Sequence, residues 1–162
     1  MQKDEAMSIT VRAAAPADVD RIARFNRAMA RETEGRELEP SVVRAGVEAL
    51  LADPDRGSYW IAEREGEVAG QALVTTEWSD WRNAEIWWIQ SVYVAPDHRR
   101  AGVYRALHRH LRDRARQRGA AGLRLYVDRD NRRARSAYRE LGMEEARYVM
   151  YEEMWRTADG TG

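Results

Sequence analysis

The apolar positions along this chain change their spacing several times, and each spacing predicts a helix or a strand. Residues 8–13 alternate apolar and polar side chains, which is typical of a half-buried strand. After Pro16 the apolar residues recur every three or four positions as far as Thr33, and after Pro40 they do so again as far as Asp53. The first third of the chain therefore predicts one strand followed by two amphipathic helices.

The middle of the chain has the pattern of β-structure. Residues 58–63 and 68–76 flank a tight turn at Glu65-Gly66-Glu67, so they predict a hairpin. Residues 78–83 predict a loop. Residues 84–94 then form a long aromatic run that predicts a strand ending before Pro96.

The last part of the chain alternates helical and strand patterns. A helix is predicted from about 101 to 118, where Gly119 ends it, and a strand from 123 to 127. Asp130 is predicted to cap a helix that runs to Leu141, and 148–154 are predicted to form a last strand. Strand–helix–strand alternation favours a parallel pair, whereas the hairpin is antiparallel. The prediction is an α/β (α+β) fold with a mixed sheet and helices on both faces.

Composition adds limits to this picture. The 162 residues suit a single domain, predicted over 8–155 with flexible tails at 1–7 and 156–162. No cysteine and only three histidines are present, so no disulfide, thiolate ligand or metal site is predicted. No apolar run approaches the ~20 residues of a membrane span, and the first residues lack a secretory apolar stretch. These features predict a cytoplasmic protein without membrane partners.

The charges are unevenly distributed although they sum to zero. Residues 97–139 contain fourteen arginines and four aspartates, and the rest of the chain carries the opposite excess. A basic segment inside a folded domain points to an anionic ligand, either a nucleic acid or a phosphate-bearing small molecule. An arginine-rich, solvated helix face is the alternative interpretation.

Two segments within this basic region carry candidate chemistry. In the first, Val94, Pro96, Arg99 and Gly102 mark a strand, a short loop and the start of a helix, where unpaired N–H groups can hold phosphate. An ordinary strand–helix connection is the alternative. The second segment carries four residues spaced three, four and four apart: Asn131, Ala134, Tyr138 and Gly142. Taken alone, it could be an amphipathic helix with Tyr138 in the core.

Together the two segments resemble the GNAT superfamily of N-acetyltransferases over roughly residues 8–155. The resemblance implies a mostly antiparallel central sheet of six to seven strands flanked by about four helices, and acetyl-CoA as the acetyl donor. It also implies that backbone groups of Val92, Tyr93 and Val94 bind the pantetheine arm, as an added strand would. The residues that it implies for the diphosphate are Arg99, Arg100, Ala101, Gly102, Val103, Tyr104 and Arg105.

The catalytic residues are assigned by the same resemblance. Asn131 would bind the pantetheine arm, and Tyr138 would bind CoA and donate a proton to the leaving thiolate, since tyrosine stays protonated at neutral pH. Where some family members place a glutamate, this chain has Trp88. Glu85 and Glu77 are the candidate bases through water, with a solvated strand-edge glutamate as the alternative for each. The family usually has glycine or alanine where Tyr104 stands.

The acceptor is predicted only as a class, a small-molecule or peptide amine. Trp87 and Trp88 should lie on opposite faces of their strand, one in the core and one available to the acceptor. Trp78 and Trp81 could cap that site from the preceding loop. The four glutamates of residues 31–39 would attract a cationic amine, or form only a solvated loop.

Three functions are compatible with the sequence. The leading one is an acetyl-CoA-dependent N-acetyltransferase, and the second is a non-catalytic acyl-CoA sensor or interaction domain on the same fold. Nucleic-acid binding ranks last, because the basic patch lacks interleaved exposed aromatics and coincides with the expected phosphate site. An apolar last strand near Val149 and Met150 favours edge pairing into a homodimer, and the resemblance implies the same.

Overall fold

The computed structural model describes residues 8–158, and the predictions for 1–7 and 159–162 lie outside them. The strands are β1 (Ile9–Ala13), β2 (Ser58–Arg64), β3 (Glu67–Ser79), β4 (Ala84–Val94) and β5 (Gly122–Arg124). The helices are α1 (Val19–Glu34), α2 (Pro40–Ala52), α3 (Val103–Gln117) and α4 (Arg132–Glu140). Short 3-10 turns, Pro16–Asp18 and Pro96–His98, precede α1 and follow β4.

The five strands form one mixed sheet in the order β1-β2-β3-β4-β5. The first three pairings are antiparallel, and β4 pairs with β5 in parallel across the α3 crossover. Glu65 and Gly66 both have positive φ, 56° and 77°, which gives the turn between β2 and β3 the twist that a two-residue hairpin needs. The predicted hairpin and parallel pair are both confirmed.

Helices cover both faces of the sheet, as predicted. The apolar line of α3, which includes Leu107 and Leu111, is fully buried against Trp87 and neighbouring strand residues. On the other face, Ile22 of α1 packs in a second cluster with Ile61 of β2. Within residues 8–158, no helix is long and apolar enough to cross a membrane.

The predicted strand count of six to seven is wrong, because the described residues form five strands. The predicted last strand, residues 148–154, has no strand structure, and its large apolar side chains are exposed. The strand predicted over 123–127 is shorter and ends at Arg124. A strand pattern needs a neighbouring edge to pair with, and the described part of this single chain offers residues 148–154 no paired partner.

Three element boundaries also differ from the sequence prediction. β3 continues to Ser79, so the predicted loop at 78–83 is only a turn over 80–83. α3 begins at Val103 because Gly102 is left-handed, with φ +84°. Asn131, and not Asp130, caps α4, since its side-chain oxygen accepts a hydrogen bond from Ala134 N at 3.0 Å.

Candidate active site

The sheet opens between β4 and β5. Their pairing comprises only Ile86–Trp88 against Gly122–Arg124. The register of β3 and β4 shifts immediately afterwards, and the shift leaves Gln90 as an extra residue in β4. Beyond Trp88 one edge of β4 therefore has no β5 partner. An extended amide-containing ligand could hydrogen-bond there as an added strand.

Val92, Tyr93 and Val94 lie on this open edge, and their side chains are used elsewhere. Val92 and Val94 pack against the core cluster beneath α3, whereas Tyr93 is buried against Phe25 of α1, with ring centroids 5.0 Å apart. All three can therefore offer a ligand only their backbone groups, which is the role that the resemblance implied for them.

The N-terminus of α3 follows directly after this edge. No side chain caps it, so the first N–H groups of the helix remain without a protein acceptor there. A Cβ built on Gly102 would meet only Ile9 Cδ1, at 3.9 Å. Of the next residues, Val103 is buried in the core and can contribute only its N–H group. The helix start is open, uncapped and positively polarised, as an anion site requires.

Arg99 points away from this helix start and binds the end of α1. Its Nη2 donates to Glu32 Oε2 at 2.6 Å, its Nε donates to Val94 O at 3.0 Å, and its guanidinium lies over the Tyr93 ring. The Tyr93 hydroxyl donates to Glu32 Oε1 at 3.0 Å. Burial and this carboxylate raise the pKa of Tyr93. The cluster joins β4, the loop before α3 and α1.

The other residues predicted for the diphosphate remain accessible. Arg100 is exposed and has a positive φ of 61°. Arg105 is exposed on the first turn of α3, with its Nη2 3.9 Å from Glu140 Oε2. Ala101 is half-buried between them. Two exposed arginines therefore flank the open helix start.

Tyr138 on α4 lies against the first turn of α3. Its ring centroid is 5.6 Å from that of Tyr104, with the planes inclined by 54°. Burial raises the pKa of Tyr138 above its ordinary value of 10.0, so its hydroxyl is protonated at neutral pH. No residue within 8–158 accepts a hydrogen bond from that hydroxyl, which leaves it free to donate to a ligand.

Tyr104 thus has a structural role that the sequence did not reveal. Its ring supports Tyr138, and its own hydroxyl is buried without a partner among the described residues. Its backbone N–H still belongs to the open turn of α3. The departure from the family's small residue therefore adds an aromatic contact between α3 and α4.

Asn131 lies at the N-terminus of α4, seven residues before Tyr138. Its side-chain oxygen caps the helix through Ala134 N. Its side-chain amide nitrogen has no such task, so this group could donate to a ligand carbonyl. The structure places Asn131 and Tyr138 on one helix, and Tyr104 connects that helix to the start of α3.

Glu77 lies on the sheet face that α1 and α2 leave open. Its Oε2 accepts hydrogen bonds from Trp88 Nε1 at 3.0 Å and from Arg124 Nη1 at 2.8 Å. These donors, Trp88 first, lower the pKa of Glu77. Beside it Gln90 donates to Thr75 Oγ1 at 2.7 Å. The open face therefore carries a hydrogen-bonded carboxylate and an indole ring.

The remaining aromatic and acidic candidates lie elsewhere. Trp87 is buried beneath α3 while Trp88 is on the open face, which confirms the predicted alternation. Strand alternation puts Glu85 on the same face as Trp87, and Trp78 on the face opposite Glu77. Trp81 is in the following turn and 86% exposed. The structure does not bring Glu85 or Trp78 to the open face.

Each glutamate of residues 31–39, which form the end of α1 and its connection to α2, has a partner in this chain. Glu32 binds Arg99, Glu37 binds Arg31 at 2.5 Å, and Glu34 lies 3.5 Å from Arg36. Glu39 caps α2 through Ser41. The charges of this connection are largely matched internally, as in the solvated-loop interpretation.

Comparison with known proteins establishes the family. The model of the GNAT acetyltransferase family matches residues 21–143. The chain therefore belongs to this family, as its two motifs indicated. The match includes the open β4 edge, α3 and the whole of α4.

Individual relatives are consistent with this membership. Streptothricin acetyltransferase of Streptomyces lavendulae is 39% identical over 90 residues, which cover 56% of this chain and 46% of that protein. The chain thus spans about half the length of this curated relative. A possible acetyltransferase from Clostridium difficile 630 is 41% identical with a TM-score of 0.84, over 90% of this chain and 97% of that one.

A more distant structure shares the fold alone. The aminoglycoside N-acetyltransferase AAC(6')-Iy, solved in complex with CoA, is 15% identical with a TM-score of 0.74. The alignment covers 95% of this chain and 99% of that one.

Proposed function

We propose that this protein transfers an acetyl group from acetyl-CoA directly to a primary amine. The observation that carries the proposal is the position of Tyr138: a free, protonated hydroxyl on a helix that contacts the first turn of α3. Release of a CoA thiolate needs a site that holds the phosphates of CoA and a group that gives the sulfur a proton. The start of α3 can be the phosphate site, and Tyr138 beside it can be the proton donor.

The open β4 edge and α3 would hold the donor. Backbone groups of Val92, Tyr93 and Val94 would pair with the pantetheine amides, and Asn131 would add a hydrogen bond from α4. The N–H groups at the start of α3 would bind the diphosphate, with Arg100 and Arg105 supplying charge. Arg99 would act through its backbone and through the loop that its side chain holds against Glu32.

The chemistry is one acyl substitution. The neutral amine nitrogen attacks the thioester carbonyl, and a backbone N–H on β4 stabilises the oxygen as it gains charge. A C–N bond forms, the C–S bond breaks, and the sulfur takes the proton of the Tyr138 hydroxyl. The protonated amine loses its excess proton to a base, and the phenolate regains one from solvent.

Two glutamates remain candidates for that base. Glu77 lies on the open face, is ionised at neutral pH and would act through water. Glu85 lies on the face beneath α3, so it would need a longer water path. Hydrogen bonds from Trp88 and Arg124 lower the pKa of Glu77, so this carboxylate is a weak base. We therefore expect part of the amine to be deprotonated already when it binds.

The acceptor is proposed to be a small-molecule amine. The similarity to a streptothricin acetyltransferase supports streptothricin as the first compound to test. The open face offers the Trp88 ring and exposed Tyr126, whose planes lie 54° apart. Such aromatic surfaces can hold a cationic organic molecule next to the β4 edge.

The test compares two tyrosine-to-phenylalanine variants. Tyr138→Phe should lower kcat by roughly 100-fold with acetyl-CoA affinity little changed, because the proton is needed only as the C–S bond breaks. Tyr59→Phe is the matched control: its buried hydroxyl accepts from Asn26 at 2.9 Å in the core. It should lose stability and keep its turnover. Normal turnover in Tyr138→Phe would contradict the assignment.

A second function is an acyl-CoA sensor without catalysis. The observation that favours it is the hydrogen bonding of Glu77, which leaves the open face without an unpaired base among the described residues. Measuring thiol release from acetyl-CoA separates the two, since a sensor binds acetyl-CoA and releases no thiol when amines are added.

A further inference from the structure

The helix α4 carries the proposed proton donor, yet its own packing holds it only weakly. None of its nine residues is fully buried. Its ion pairs from Arg135 and Arg139 go to Glu145, which is exposed and close in sequence. A helix of this kind depends on contacts with a neighbouring element for a fixed position. The position of Tyr138 therefore depends on what joins α4 to the rest of the fold.

Two contacts join α4 to α3. One is an ion pair, in which Arg105 Nη2 lies 3.9 Å from Glu140 Oε2 and both side chains are more than half exposed. Exposed pairs of this kind contribute little. The other is the Tyr104 ring, which packs against Tyr138 with centroids 5.6 Å apart and planes inclined by 54°. This distance and inclination are favourable for two aromatic rings, so Tyr104 makes the stronger of the two contacts.

Tyr104 projects from a rigid part of the molecule. Val103 before it and Leu107 one turn later are both buried in the core, which fixes the first turn of α3. The Tyr104 hydroxyl is buried and has no hydrogen-bond partner within residues 8–158. A buried hydroxyl without a partner is unfavourable, so it does not explain a tyrosine at this position. The part of the side chain that serves the fold is the ring.

We propose that Tyr104 is a positioning residue for acetyl transfer: its ring holds α4 against the start of α3 and keeps the Tyr138 hydroxyl where it protonates the CoA sulfur. The inference rests on the proposed function, because it concerns the proton donor of that reaction. A displacement of about 1 Å in a reacting group can lower a rate by roughly 100-fold. The glycine or alanine that the family usually has at this position could not make the contact.

The contact has a signature that does not depend on acetyl transfer. Burial raises the pKa of Tyr138 above 10.0. Without the Tyr104 ring, water would reach the Tyr138 side chain and stabilise its phenolate, so the pKa should fall toward 10.0. Titration of isotope-labelled tyrosine followed by NMR measures this pKa, and the Cζ resonance that is missing from Tyr138→Phe identifies Tyr138.

The first variant is Tyr104→Ala, which keeps the backbone N–H of the helix start and favours a helix. With an amine that the wild-type protein acetylates, kcat should fall by roughly 10- to 100-fold, while the affinity for acetyl-CoA stays near the wild-type value. Tyr104→Phe keeps the ring, so it should recover most of the lost kcat. If Tyr104→Phe is as slow as Tyr104→Ala, the hydroxyl is the required group and the proposal is wrong.

A double variant separates positioning from a general loss of stability. Tyr138→Phe has no hydroxyl left to position, so the addition of Tyr104→Ala should lower its kcat by less than about twofold. Losses that multiply would mean that Tyr104 acts independently of Tyr138, and would overturn the proposal.

His110→Ala is the matched control. His110 is another half-buried ring on α3, but it packs against Trp60 of β2, with centroids 4.9 Å apart. Its removal should lower Tm and leave both kcat and the pKa of Tyr138 at their wild-type values. A change in either of them like that in Tyr104→Ala would show that any lost ring on α3 has this effect, which contradicts a specific role for Tyr104.

The titration keeps this proposal separate from the proposed function. A wild-type protein that acetylates no amine would contradict acetyl transfer, and with it the catalytic role of Tyr104, whereas the pKa of Tyr138 would still report whether the ring holds it. An unchanged Tyr138 pKa in Tyr104→Ala would overturn the proposal. So would an unchanged kcat of this variant with an amine that the wild-type protein acetylates. A fall in both quantities, with recovery in Tyr104→Phe, is the expected result.

Discussion

Replacing Gly102 by alanine tests whether the start of α3 holds the diphosphate. Gly102 has φ +84°, a region that costs a residue with a Cβ about 1–2 kcal/mol. For a chain of this length each 1 kcal/mol lowers Tm by about 2–4 °C. Packing adds little, since the new Cβ meets only Ile9 Cδ1 at 3.9 Å. Tm should therefore fall by about 2–8 °C.

The loss of CoA binding free energy in Gly102→Ala should be larger than the loss of stability caused by the backbone strain. The added methyl group occupies the open space through which a phosphate approaches the first N–H groups of α3. A hydrogen bond to a charged group contributes about 1.5–3 kcal/mol, so the loss of one corresponds to a roughly 10- to 100-fold weaker affinity. Calorimetric titration with CoA measures the change in affinity, and thermal unfolding of the same sample measures the fall in Tm caused by the backbone strain.

Gly119→Ala is the matched control. Gly119 follows the other end of α3, has φ +77°, and a Cβ there would meet nothing within 4 Å. It lies about 25 Å away along the helix. Its Tm should fall as much as that of Gly102→Ala, while CoA affinity stays at the wild-type value. Equal CoA affinity in the two folded variants would refute the placement of the diphosphate.

Two further predictions concern stability. Gly70→Ala would put a Cβ 2.7 Å from Tyr93 O, so β3 and β4 must separate, and the free energy of unfolding should fall by about 3 kcal/mol. Gly46→Ala is the control, because Gly46 lies in open space within α2, and this change should raise the free energy of unfolding by about 0.5–1 kcal/mol. Urea unfolding measures both changes. Arg12 donates twice to Asp18 and lowers the pKa of that carboxyl below its usual 3.8, so the stabilisation is present at neutral pH and is lost as the pH falls through the folded-state pKa. Asp18→Asn should therefore cost about 1–2 kcal/mol at pH 7, and its difference from the wild type should shrink below pH 3.8; a difference that is constant with pH would contradict this.

The sequence predicted most of the fold because local patterns determine most of it. The hairpin, the parallel pair and the placement of Trp87 and Trp88 on opposite faces follow from strand alternation and from a turn that needs positive φ. Alternation did not say which of the two is buried. The last strand was wrong because periodicity identifies a strand sequence but not the edge that it pairs with. The limits of β3 and the cap of α4 depend on single backbone angles and hydrogen bonds, which composition does not reveal.

The site was predictable only as far as its motifs extend. Backbone groups near Gly102 and the position of Tyr138 belong to contiguous motifs, and the resemblance of those motifs to the GNAT family selected them; their roles stay a prediction. The Arg99–Glu32 pair joins residues 67 positions apart, and the Glu77–Arg124 pair joins residues 47 apart. Long-range pairs of this kind arise from tertiary packing. The uneven charge of the sequence predicts that the arginines form ion pairs, but it does not identify the acidic residue that each arginine binds.

Acceptor-dependent release of the CoA thiol is the most direct test of the proposed activity. The protein is mixed with acetyl-CoA and a panel of amines that begins with streptothricin, and both the thiol and the mass of the amine are followed. One amine should release thiol at a rate that falls roughly 100-fold in Tyr138→Phe, and it should gain the mass of one acetyl group. If acetyl-CoA binds with full affinity while no amine on the panel increases thiol release, the protein is an acyl-CoA sensor and the proposed transfer is wrong.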